Sequence, residues 1–90
     1  MIKQIWKYKV ENVIEIPKGA EILSVQIQNG QMFNACIWAK VNPQNELEKR
    51  QFVVIGTGHT FDDTDMVYIG TYQDGPFVLH LFEVKTNLDK

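Results

Sequence analysis

EILSVQIQNGQMFNACIWAKV, Glu21 to Val41, decides the fold. It reads as two strands closed by Asn29-Gly30, because a type I′ turn needs φ > 0 at both central positions and these two residues tolerate it. On the incoming arm Leu23, Val25 and Ile27 alternate with Ser24, Gln26 and Gln28. On the outgoing arm Phe33, Ala35, Ile37, Ala39 and Val41 alternate with Met32, Asn34, Cys36, Trp38 and Lys40. A period of two gives each arm one apolar face and one mixed face.

Outward from this hairpin the same period recurs. Lys3 to Val10 places Trp6, Tyr8 and Val10 opposite Ile5, Lys7 and Lys9, and after an interruption at Glu11-Asn12, a bulge or a bend, Val13 to Ile16 resumes it. Pro17-Lys18-Gly19-Ala20 has turn chemistry, and Asn42-Pro43-Gln44-Asn45 is a second polar turn. Leu47 to Ile55 reads as one strand, although NELEKRQ contains helix formers and admits a short helical turn at its start. Met66 to Tyr72 is a strand in which Gly70 marks a bulge or a close approach. Phe77 to Val84 is apolar on both faces, as a central or interface strand would be. The tail, Lys85 to Lys90, is expected to fray. The pattern is one all-β domain over residues 1–90, a small antiparallel sandwich or barrel of six to seven strands.

Composition narrows the class. Ninety residues bury only roughly 60 to 65% of their unfolded surface, so the core is thin and a homo-oligomer is expected. The net charge of −2 and the lack of a basic run argue against a nucleic-acid polymer as partner. A small anionic ligand remains compatible. Cys36 is the only cysteine, which excludes an intrachain disulfide and a thiolate metal cluster. No apolar run approaches the ~20 residues of a membrane span. Lysines interrupt MIKQIWKYKV, so it does not read as a signal peptide and a cytoplasmic location is expected.

Chemistry-bearing residues are sparse. Gly56-Thr57-Gly58 after an apolar strand offers backbone N–H groups and a hydroxyl, either as a phosphate nest or as a turn that ends the strand. His59 and His80 are the only histidines, and Asp62, Asp63 and Asp65 lack the spacing of an EF-hand. Glu83 among apolar neighbours needs a partner, at a pocket or an interface, with a lysine or Arg50 as the candidate. Trp6 and Trp38 are candidate stacking platforms or packing residues. No nucleophile, base and orienting group assemble, so an enzyme is not expected and neither a metal nor a cofactor is called for.

The blocks IWKY from Ile5, IPKGAEILSVQ from Ile16, IWA from Ile37, GTGH from Gly56, YIGT from Tyr68 and HLFE from His80 resemble a family of very small phage and prophage proteins of unknown function. The similarity spans nearly the whole chain. By analogy of size and setting, the resemblance implies a phage protein that sequesters a nucleotide signal of bacterial immunity, a cyclic ADP-ribose type or a cyclic dinucleotide. In that reading a homo-oligomer holds the ligand. Trp6 or Trp38 stacks the base, Arg50 and Gly56, Thr57, Gly58 and His59 meet phosphates, and Gln26 or Gln28 reads base or ribose edges. The alternative is a phage interaction protein, without a ligand, that docks on a host or virion protein.

Overall fold

The computed structural model describes residues 1–85, so most of the tail expected to fray lies outside the described residues. Seven strands follow one another: β1 (Gln4–Lys9), β2 (Val13–Pro17), β3 (Glu21–Ile27), β4 (Ala35–Val41), β5 (Leu47–Gly56), β6 (Met66–Asp74) and β7 (Phe77–Val84). They form two antiparallel sheets, β1-β4-β3 and β2-β5-β7-β6. The sheets stack as a sandwich whose core is Ile14, Ile16, Val25, Ile37, Val41, Phe52 and Leu81, all at most 7% exposed. No helix among the described residues is long and apolar enough to cross a membrane.

Alternation is realised in β1, where Trp6 and Tyr8 pack against the core, and in β2, where Ile14 and Ile16 are buried. The interruption at Glu11-Asn12 is a bend that carries the chain from one sheet to the other. Pro17 to Ala20 returns it through a turn closed by Ala20 N–H donating to Pro17 O (3.2 Å), with Gly19 at φ 79°. β5 is extended from Leu47, which pairs with Pro17, so the ladder overrides the local helix preference. β7 lies between β5 and β6, which accounts for its two apolar faces. The register shifts between Tyr68 and Gly70, and a Cβ on Gly70 would stand 3.0 Å from Val25 Cγ1, so the glycine marks both a bulge and a close approach.

The central hairpin differs from its sequence reading. Asn29 (φ 61°) and Gly30 (φ 64°) do form a left-handed pair, and Gln31 N–H points back to Gln28 O at 3.5 Å. They do not close the ladder. Ile27 pairs with Ala35 and Gln28 N–H donates to Asn34 O (3.0 Å), so Gln31, Met32 and Phe33 are interposed. This segment is captured by the β6–β7 turn. Phe33, at φ 62°, donates its N–H to both carboxylate oxygens of buried Asp74 (3.0 and 3.1 Å), and Met32 lies over Gly75. Phe33 is therefore off the outgoing strand and 75% exposed. A second shift, between Ile22 and Ser24, turns Ile22 toward the core and leaves Leu23 42% exposed.

Candidate functional site

Directly paired residues on neighbouring strands project to the same face of a sheet. On the three-stranded sheet, Trp6 pairs with Ala39 and faces the core, whereas Trp38 pairs with Lys7 on β1 and Ser24 on β3 and faces solvent. The next row is Lys9, Cys36 and Gln26. The row on the other side is Ile5, Lys40 and Glu21, with Lys40 Nζ 3.1 Å from Glu21 Oε1. Gln28 joins the face from the end of β3, accepting a hydrogen bond from Lys7 Nζ (2.8 Å) with Cys36 Sγ at 3.7 Å. A half-buried indole thus sits on the central strand among Lys7, Lys9, Lys40, Gln26 and Gln28, with Glu21 the one carboxylate in these rows.

The other residues singled out from sequence lie elsewhere. Trp6 packs against the core and donates Nε1–H to Gln4 Oε1 (2.8 Å). Arg50 points between the sheets. Its Nε and Nη2 donate to Glu83 at 2.6 and 2.7 Å, and its Nη1 donates to Ala20 O at 2.6 Å. The hydrogen bonds from Glu83 hold the guanidinium above its ordinary pKa. Burial alone would raise the Glu83 carboxyl, but Arg50, and then Lys85 at 3.2 Å, bring it below its ordinary value. Arg50 does not join the solvent face as a phosphate ligand, because its charge and its directional donors are already engaged.

The Gly56 to His59 loop is a closed turn at the end of β5. His59 N–H donates to Gly56 O (3.0 Å), Gly58 has φ 86°, and Thr57 N–H and Oγ1–H both donate to Val78 O (3.2 and 3.0 Å). With the N–H groups of Thr57 and His59 engaged, the loop lacks the run of convergent donors that a phosphate nest requires. The His59 ring lies over Gly56, where a Cβ would stand 3.5 Å from three ring atoms. The loop borders an open cleft of about 500 Å³ walled on its other side by Pro76 to Leu79.

His80 lies on the solvent face of the four-stranded sheet, in the row Ile55–His80–Thr71. Its Nε2 is 2.7 Å from Thr57 Oγ1 and its Nδ1 is 2.9 Å from Thr71 Oγ1, which is 2.6 Å from Tyr68 Oη. Thr57 Oγ1 thus lies within hydrogen-bond reach of both Val78 O and the His80 ring, and its single hydrogen can serve only one of them. In the acidic run, Asp62 receives the N–H and hydroxyl of Thr64 (2.9 and 2.6 Å), which lower its pKa. Among the described residues no three His, Cys, Asp or Glu side chains converge as a metal site would require.

Of the nine candidate residues, the fold brings together Gln26, Gln28 and Trp38, keeps Gly56 to His59 together at the end of the other sheet, and directs Trp6 and Arg50 inward. Lys7 and Lys9 belong to the first group and were not among the residues picked out from sequence. Their signal was the alternation in β1, which sets them opposite Trp6, but the pairing with β4 that brings them beside Trp38 is nonlocal. No curated protein and no solved structure matches the chain significantly. A family model described as Domain of unknown function (DUF7352) matches residues 1–89, and the chain belongs to that family.

Proposed function

We propose that this domain is a non-catalytic binding protein that holds a small nucleotide-type ligand on the solvent face of the β1-β4-β3 sheet. The observation that carries the reading is the row Lys7–Trp38–Ser24, flanked by Lys9, Gln26 and Gln28. A half-buried indole with one face toward solvent beside ammonium groups suits a base joined to phosphate, since every base has a π-face and lysine acts on phosphate as a flexible point charge. Gln26 and Gln28 supply donors and acceptors for base or ribose edges. Taken with the resemblance to small phage proteins, the ligand is a cyclic ADP-ribose type or cyclic dinucleotide immune signal, and the function is its sequestration from bacterial defence in the cytoplasm of the infected cell.

A panel of these nucleotides tests the proposal by thermal unfolding. At least one should raise the melting temperature, because a ligand that binds only the folded state stabilises by about 2.7 kcal/mol at a hundredfold excess over Kd. The shift should shrink in Trp38→Ala and in Lys7→Ala, and the nucleotide should be recovered intact. Failure of every nucleotide to shift unfolding would refute it. That outcome would favour the second reading, a protein-docking module, to which the exposed Phe33 (75%) and Phe77 (55%) point.

A further inference from the structure

The solvent face of the β2-β5-β7-β6 sheet is of a different kind. Its central rows are Val53–Phe82–Tyr68 and Ile55–His80–Thr71. Phe61 folds back from the β5–β6 loop onto Phe82, with ring centroids 5.2 Å apart, and Tyr68 meets the same ring edge-on at 5.6 Å. Tyr68 remains 56% exposed and Val78, in the adjoining row, 43%. The only polar side chains in the two rows are already joined to one another, Tyr68 to Thr71 to His80, and onward to Thr57. Covering this face would therefore strand none of these groups without a hydrogen-bond partner.

We infer that this face is a two-fold interface between two copies of the chain. Near a two-fold axis each residue meets its own counterpart, so a charged residue there would face its like. The two central rows contain no Lys, Arg, Asp or Glu; the in-row pair Glu15 and Lys49 lies at the β2 margin, and the exposed Asp62, Asp63 and Asp65 follow Phe61 on the β5–β6 loop at the border of the face. The opposite broad face fails the same criterion, because Lys7, Lys9 and Lys40 would confront their copies. The molecule measures 40 × 33 × 17 Å, and the four strands, about 4.8 Å apart and roughly 30 Å long, present a projected face on the order of 600 Å², the same order as the roughly 800 Å² of accessible surface that each partner contributes to a standard interface. A slab this thin also has little interior of its own, so covering one face with a second apolar sheet extends the core across the axis. The arrangement leaves the Trp38 face open on both copies, independently of what binds there.

Sedimentation equilibrium of the whole chain at about 50 µM tests the inference, using Tyr68→Glu and Val78→Glu as interface variants and Leu23→Glu, on the other sheet, as control. Both interface positions are exposed in the single chain, so their variants should fold, as circular dichroism will verify. Wild type and Leu23→Glu should sediment at about twice the 10.4 kDa chain mass. Tyr68→Glu and Val78→Glu should each raise the dimer dissociation constant at least about tenfold, a 1.4 kcal/mol change. A monomeric wild type overturns the inference, as does a dimer that both interface variants leave intact.

Discussion

The Arg50–Glu83 pair is the place where the fold is most open to a quantitative challenge. Their side chains are 13% and 6% exposed, and the two charge-assisted hydrogen bonds of 2.6 and 2.7 Å join neighbouring regions of the core. Replacing Arg50 with methionine keeps much of the volume but strands the Glu83 carboxylate. Breaking a buried pair costs 3–5 kcal/mol, and because Lys85 Nζ stays 3.2 Å from Glu83, the lower end, about 3 kcal/mol, is expected here. For a domain of this size that lowers the melting temperature by roughly 12 to 24 °C. Arg50→Met combined with Glu83→Leu should recover most of the loss, since no unpaired charge then remains inside. The pair also predicts an acid dependence. The folded Glu83 carboxyl titrates below its ordinary 4.5, so its contribution is complete at pH values above that and is lost as pH falls through the folded value. The difference in urea midpoint between the wild type and Arg50→Met should therefore be larger at neutral pH than in acid, shrinking first as the stranded carboxyl of the variant, raised by burial, protonates and then as pH falls through the lowered value of the wild type. A loss under about 1 kcal/mol for Arg50→Met at pH 7, or a double variant no better than the single one, would refute this reasoning.

Three further perturbations address the captured loop. Gly30→Val should cost about 1 to 3 kcal/mol in urea denaturation, because a β-branched residue is strained at φ 64°. Asp74→Ala should cost about 1 to 3 kcal/mol by leaving the Phe33 N–H without its acceptor, and the resonances of residues 31–33 should broaden in amide NMR spectra. Gly75→Ala should destabilise through both φ 59° and a Cβ only 2.8 Å from Met32 Sδ, and Met32→Ala introduced with it should relieve the steric part alone.

What was legible in the sequence was whatever a strand expresses locally. Period two in Gln4–Lys9 set Trp6 and Tyr8 on one face, apolar residues on both sides of Phe77–Val84 marked it as a central or interface strand, and Gly70 marked a bulge or a close approach. What was not legible depended on contacts distant in the chain. Asn29-Gly30 has the turn conformation its residues favour, yet the register of its hairpin is set by Asp74, 41 residues from Phe33. The bulge that exchanges Leu23 for Ile22 carries no glycine or proline to mark it. Arg50 could be read both as a partner for Glu83 and as a phosphate ligand, and a separation of 33 residues hid its engagement with the former. The candidate site shows the same division. Trp38, Gln26 and Gln28 were visible from one hairpin, while Lys7 and Lys9 join them only through the pairing of β1 with β4.

The most direct test of the central claim uses Trp38 as its own reporter. In a Trp6→Phe variant, Trp38 is the sole tryptophan, and titration with a nucleotide that raises the melting temperature should quench its emission to saturation, with the same Kd as the thermal shift. Base stacking on an aromatic side chain is worth about 1–3 kcal/mol, so Trp38→Ala should weaken binding by roughly 5- to 150-fold. Unchanged Trp38 emission at saturating ligand, or undiminished affinity in Trp38→Ala, would contradict the account.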